Sequence, residues 1–256
     1  MRQIGTYAPP EGMTIYLLPS IASGSVLPLP ASPCFLFGVC DNLAGMNQTA
    51  ESQRKLRDIC RIAARVFYEK GFDGASMQDI ADAVGLTKAG LYHHVGSKDR
   101  LLFEIMNYGM DILQEAVLNK IESITDPREK LRRVIVGHID LIVRARDMEI
   151  TVILHENRSV KGELREKINA RKRQYIQFLE KLIEEVQHQA GGPPLVSSRL
   201  AAFALLGMVN WLYQWYRPGG GVVQDELAGN YADFFFRGLL DRGGTEFASS
   251  RHERGN

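Results

Sequence analysis

Residues 76–98, SMQDIADAVGLTKAGLYHHVGSK, constrain this chain more than any other stretch. They read as two short helices joined by a tight turn, with a third helix starting at once. Ser76 is placed to cap the first helix, and Asp79 three residues on completes a capping box. Ile80, Ala83 and Val84 are expected on its apolar face. Gly85 marks its end, because glycine takes the left-handed conformation without a steric cost. Thr87 caps the second helix, which carries Lys88, Tyr92, His93 and His94, and Ser97 caps the third, with Lys98 in its first turn. A helix, a glycine turn and a helix with polar groups near its start is the geometry that enters a DNA major groove.

The preceding segment, roughly 51–71, carries Ile59, Ala63, Ala64, Phe67 and Gly71. Together with Ile80, Ala81, Gly85, Leu91, Tyr92, His94, Val95, Ser97, Lys98 and Leu101, it resembles the N-terminal domain of the TetR family of bacterial one-component regulators. The resemblance runs in unbroken register over about fifty residues. The family usually has Phe where this chain has Val95, a change of core volume.

A chain of 256 residues with 45% hydrophobic and 24% charged residues can bury a sizeable core. Its net charge is only +1, so any attraction to nucleic acid must be local. Residues 51–72 supply it: Arg54, Lys55, Arg57, Arg61, Arg65 and Lys70 outnumber Glu51, Asp58 and Glu69. The cysteines Cys34, Cys40 and Cys60 have neither metal-site spacing nor a disulfide pattern, and Cys60 is expected in the core.

Residues 1–45 hold six prolines between Pro9 and Pro33, and their only charged residues are Arg2, Glu11 and Asp41. No helical period survives that many prolines. The segment is read as a disordered extension or a misassigned start, with Met46 a plausible true start; a short docking strand is the alternative. It lacks the basic region of a secretion signal, and the expected location is cytoplasmic. After residue 50 the pattern is helical throughout: 97–120, a helix from Pro127, a short one at 147–157, then 160–189, 195–216 and 224–240, with a polar tail from 241. The fold class is therefore all-α. A three-helix helix-turn-helix DNA-binding domain at 46–97 precedes a six-helix ligand-binding and dimerisation domain at 98–241, and 242–256 is a flexible tail. The resemblance implies the same nine-helix architecture.

DNA readout needs donors aimed at base edges and cations aimed at phosphates. Lys88, at the start of the recognition helix, can donate to guanine O6 and N7. Lys98 at a helix N-terminus suits a phosphate. Ser76 and Thr87 can cap and touch the backbone, the small Ala89 and Gly90 let the helix sit deep, and His93 is a further candidate. The family resemblance implies phosphate contact for Tyr92 and His94. A metal site at His93 and His94 is not expected, since neighbours in a helix point about 100° apart and no third ligand is in view.

For the ligand-binding part, His138 falls among Val134, Ile135 and Ile142, and Arg171 between Ile168 and Tyr175. Such groups must find partners or a ligand, and His138, Arg171 and Tyr175 are candidates for ligand contact. A satisfied core histidine is one reading of His138, and a salt bridge to Glu156 is one reading of Arg171. Trp211 and Trp215, with Tyr213 and Tyr216, crowd the end of 195–216; they are candidates for ligand contact or for dimer core. The runs GMVNWLYQWYRPGG, YADFFFRGL and MEITVILHENR resemble, more loosely, the branch of the family that senses acyl-coenzyme A esters. That resemblance implies an apolar tunnel with nearby cations, for which Arg144, Arg146, Arg158, Lys172 and Arg173 are candidates.

These readings converge on a ligand-responsive DNA-binding regulator, a repressor by family habit. It is expected to be a homodimer through about 195–216 and 224–240, to bind double-stranded operator DNA and a small hydrophobic effector, and to need no cofactor, metal or membrane. The alternative is a regulator of efflux or detoxification that senses a lipophile without coenzyme A. An enzyme is disfavoured: no nucleophile–base pair, metal spacing or phosphate loop stands out, and Gly219, Gly220 and Gly221 follow a helix rather than a strand.

Overall fold

Helices occur where capping residues and apolar periodicity coincide. The computed structural model describes residues 50–144, 152–154, 156, 159–217 and 219–241. The expected extension 1–45, the tail 242–256, Cys34, Cys40, Arg146, Arg158 and most of the expected helix 147–157 lie outside the described residues, as does the side chain of Arg144. The described chain is all-helical, with no strand among the described residues.

Helix α1, Ala50–Gly74, leads to α2, Met77–Val84, and α3, Lys88–Val95, and then to α4, Lys98–Leu113. Three residues expected as caps are caps: Ser76, Thr87 and Ser97 each accept a backbone N–H three residues on. Gly85 ends α2 at φ 70°, ψ 31°, which an L side chain adopts only with strain. The apolar face of α2 is Met77, Ile80 and Ala81, with Val84 half-buried; Ala83, expected on that face, is exposed. The spacing 77, 80, 81, 84 follows the helical period, whereas 83 points away from it. Ile80, Leu91 and Phe67 meet in the core of this part, Val95 is also buried there, and Cys60 is 2% exposed as expected.

The helix expected over 97–120 is regular only to Leu113; it continues as a π turn, Gln114–Leu118, and a 3-10 turn, Asn119–Ile121. Here α5, Pro127–Arg144, comes close: a Cβ on Gly137 would stand 3.2 Å from both methyls of Val117. Asp126 caps α5 by accepting the Glu129 N–H at 2.9 Å. The long α6, Gly162–Ala190, packs on α4 and α5. The expected helix 195–216 is divided at Trp211 into α7, Ser198–Asn210, and the short α8, Leu212–Trp215. Helix α9, Gln224–Leu240, packs on α5 and α6 and matches its expected span. Ile105, Met106, Leu131, Ile135, Ile139, Ile168 and Leu179 form the fully buried centre. Helix α4 touches both parts: it packs on α1 and α3 on one side and on α6 on the other.

Candidate functional site

The turn between α2 and α3 leaves one face of α3 uncovered. Leu91 and Val95 are buried on its inner side, while Lys88, Ala89, Tyr92 and His93 are exposed, a spacing of one, four and five residues that defines a single outer face. Thr87 stands exposed at the head of that face, its Oγ1 accepting the Gly90 N–H at 3.0 Å. A Cβ on Gly90 would lie 3.1 Å from that hydroxyl, so the glycine keeps the cap close. His94 is half-buried; burial first, and then the charges of Lys55 and His93, hold its imidazole below the usual range. His93 meets His94 edge-on at 5.6 Å.

Ser76 is exposed at the start of α2, but its hydroxyl is engaged. It accepts the Asp79 N–H at 3.1 Å and donates to Asp79 Oδ2 at 2.7 Å. Lys70 donates to Asp79 Oδ1 at 2.7 Å, and this bond, followed by those from Ser76, holds the carboxyl well below the usual range. Lys98 is half-buried at the start of α4, with its ammonium 4.4 Å from the centre of the Phe72 ring. Phe72 was not legible as a site residue, because nothing in the local spacing brings residue 72 to residue 98.

Further along the chain, the structure brings His138 and Tyr175 together across α5 and α6. They share a hydrogen bond of 3.1 Å between Nδ1 and the phenol oxygen. Burial pushes the imidazole down to about 4 and the phenol up, so both are neutral near pH 7. Arg171 forms an interhelix pair, and its partner is on α4, not Glu156. It donates to Asp111 Oδ1 at 2.7 Å, to the Asn107 carbonyl at 2.9 Å and to Asn107 Oδ1. Glu156 is committed elsewhere and accepts the Phe72 N–H at 3.1 Å. Beside that contact lies a cleft of about 170 Å³ lined by Phe67, Tyr68, Gly71, Val152 and Glu156. Lys172 is half-buried, its ammonium pushed down to about 8 by burial, with the Ile153 carbonyl at 3.5 Å; Arg173 is exposed. Trp211 and Trp215 do not join His138 and Tyr175 inside; they are 51% and 42% exposed. Leu200, Ala204, Gly207 and Trp211 form an exposed stripe at spacings of four, three and four along α7 and its end, and Phe234 on α9 is 69% exposed. Among the described residues no three His, Cys, Asp or Glu side chains cluster as metal ligands, and no helix is long and apolar enough to cross a membrane.

This arrangement matches known proteins along most of its length. Residues 59–105 match the family model of bacterial regulatory proteins, tetR family, and residues 125–239 match the model of the tetracyclin repressor-like C-terminal domain. The structure of AibR in complex with isovaleryl coenzyme A and operator DNA is 41% identical, with a TM-score of 0.66 over 73% of this chain and 98% of that one. PfmR of Thermus thermophilus, a TetR family transcriptional regulator, is 34% identical, with a TM-score of 0.63 over 70% of this chain and 97% of that one. The HTH-type transcriptional repressor KstR2 of Rhodococcus jostii is 26% identical over 75% of this chain and 95% of its own length.

Proposed function

This chain belongs to the TetR family of bacterial transcriptional regulators, and from that membership we propose that it is a homodimeric repressor released from operator DNA by an acyl-coenzyme A ester. The observation that carries the proposal is the 41% identity, across 98% of its length, to a protein whose structure holds both isovaleryl coenzyme A and operator DNA. The exposed face of α3 supports the DNA half of the reading. Lys88 reads a base edge; Thr87 and His93 line the same face with Ala89 allowing close approach; Ser76, Tyr92, His94 and Lys98 serve the phosphate backbone. The hydroxyl of Ser76 is occupied by Asp79, so any phosphate meets its helix end rather than a free hydroxyl.

The second copy covers the stripe from Leu200 to Trp211 together with Phe234. Its large members, Leu200, Trp211 and Phe234, are apolar yet exposed in a single chain, and Ala204 and Gly207 permit close helix approach. Trp211 and Trp215 are assigned to that face. The effector's polar end is assigned to the neighbourhood of His138 and Tyr175, where a neutral donor–acceptor pair sits among apolar residues, with Lys172 and Arg171 on the same helix as Tyr175. The effector acts by population shift. Helix α4 carries Lys98 at one end and is held by Arg171 through Asn107 and Asp111 in its body. A tilt of α4 changes the separation of two recognition helices, which must match one DNA turn, about 34 Å.

The test is a DNA-shift assay on the region upstream of its own gene, with a panel of short- and long-chain acyl-coenzyme A esters and free lipophiles. Release by an ester, with operator weakening ester binding by the same factor, is the expected outcome. Release by a lipophile without coenzyme A supports the detoxification alternative. Equal ester affinity with and without operator overturns the mechanism.

A further inference from the structure

We propose that Glu156 is a positioning residue for DNA binding: its carboxylate seats Phe72, and the Phe72 ring in turn seats the ammonium of Lys98. The proposal rests on the reading that Lys98 meets a DNA phosphate. It begins with a break in α1. Gly71 has φ 71° and ψ 161°, outside the helical region. A residue with those angles interrupts the ladder of hydrogen bonds, so the Phe72 N–H is turned out of the helix. A buried or half-buried N–H of this kind requires an acceptor. Glu156 provides it, at 3.1 Å. A carboxylate is a stronger acceptor for this purpose than a neutral oxygen.

Glu156 is itself held on the C-terminal side. Its second oxygen accepts the Ser159 hydroxyl at 2.7 Å, and its own N–H donates to the Val152 carbonyl at 2.9 Å. Val152 and Val160, on either side in the chain, are buried in the core at 1% and 0% exposure. On the other side, the Phe72 ring packs 5.4 Å from the Phe67 ring, and the Lys98 ammonium lies 4.4 Å from its centre. An ammonium over an aromatic face is attracted to it. The chain of contacts Glu156–Phe72–Lys98 therefore links a carboxylate flanked by the core residues Val152 and Val160 to a cation at the start of α4. Displacement of Glu156 moves an acceptor away from Phe72 and loosens the seat of Lys98, independently of any tilt of α4.

The experiment uses the full-length protein and a duplex that it selects from a random-sequence pool, with affinity measured across a salt series. Glu156→Ala is expected to weaken binding about tenfold at low salt and to lower the salt slope by about 0.9, the share of one phosphate. Glu156→Gln keeps an oxygen acceptor and is expected to restore most of the affinity and slope. Lys98→Ala should show the same loss of slope, and Glu156→Ala added to it should cost little more, because both act through one contact. Hydrogen exchange at the Phe72 amide should be slow in the wild type and fast in Glu156→Ala. Should the alanine variant not fold, Glu156→Asp carries the same test, since it keeps the charge and shortens the reach by a methylene. A wild-type slope in the folded alanine or aspartate variant overturns the proposal, as does full additivity with Lys98→Ala. A Lys98→Ala slope equal to wild type overturns this proposal while DNA binding stands. Failure of the wild type to select any duplex overturns the DNA-binding reading and this proposal with it.

Discussion

From α2 to the start of α4, polar side chains bond to backbone three residues away: Ser76 to Asp79, Thr87 to Gly90, Ser97 to Arg100. In the C-terminal helices, besides local caps such as Asp126 to Glu129, polar bonds cross the fold. His138 meets Tyr175 across 37 positions, Arg171 meets Asp111 across 60, Gln224 meets Asp140 across 84, and Arg132 meets Asp233 across 101. The first region is built from caps that form wherever a helix starts, and it leaves its outward polar groups in water, open to a charged partner. The second holds its polar groups between helices, where each depends on the placement of a distant one. A region of the first kind keeps its form while surface residues change. A region of the second kind can alter its interior only by repacking. This contrast fits a ligand-responsive DNA-binding regulator.

Five perturbations test the contrast, in order of expected size. The largest concerns His138. Folded, its imidazole titrates near 4; unfolded, it returns to about 6.5. Between those values the unfolded chain takes up a proton that the folded chain does not, so stability falls as pH falls from 6.5 and levels off below 4. The loss should be on the order of 3 kcal/mol at the acid limit. Urea midpoints at pH 7 and pH 5 should separate much less in His138→Gln, which cannot titrate; an unchanged separation would show that His138 is not the group responsible. Arg171→Ala comes next. It strands Asp111 and removes the bonds that tie Asn107 to α6, at about 2 kcal/mol, less than the roughly 3–5 of a fully buried pair because Asp111 is 39% exposed. Thermal unfolding checks it, and a neutral result would mean that the pair is decorative.

The N-terminal side should respond through binding more than through stability. Lys88→Ala should relax sequence preference at one base position, at a cost of about 1 kcal/mol or more, with melting unchanged. Lys98→Ala should weaken all sequences alike. Identical sequence profiles for the two variants would remove the division into base and phosphate contacts. The smallest effect is Ser76→Ala. It removes a cap whose hydroxyl makes two bonds to Asp79 and should cost about 1 kcal/mol, read as a small drop in melting temperature. A larger drop than Arg171→Ala would reverse the ranking of distant over local polar bonds.

Much of the fold was legible because its signals are local. A cap and the N–H that it accepts lie three residues apart, a glycine stop needs only its own dihedral angles, and an apolar stripe recurs within a single helix. Ser76, Gly85, Thr87 and Ser97 could therefore be placed from spacing, and so could α9 at Gln224–Leu240. Periodicity was less exact where two faces compete. Ala83 is exposed rather than apolar-facing, and the helix expected to reach 120 leaves regular geometry after Leu113, where Gly137 closes on Val117.

By itself, then, the sequence determined the helical class, the order of the helices and the exposed character of the α3 face, since each follows from interactions a few residues long. Only the tertiary structure decided that Arg171 turns to Asn107 and Asp111, that Glu156 turns to Phe72, that Lys98 rests on the Phe72 ring, and that Trp211 and Trp215 stand outside. Those choices depend on how helices far apart in the chain are brought side by side. A buried cation satisfies its charge with whichever carboxylate the packing delivers, and two acidic residues at different distances along the chain are equal candidates until the helices are in place.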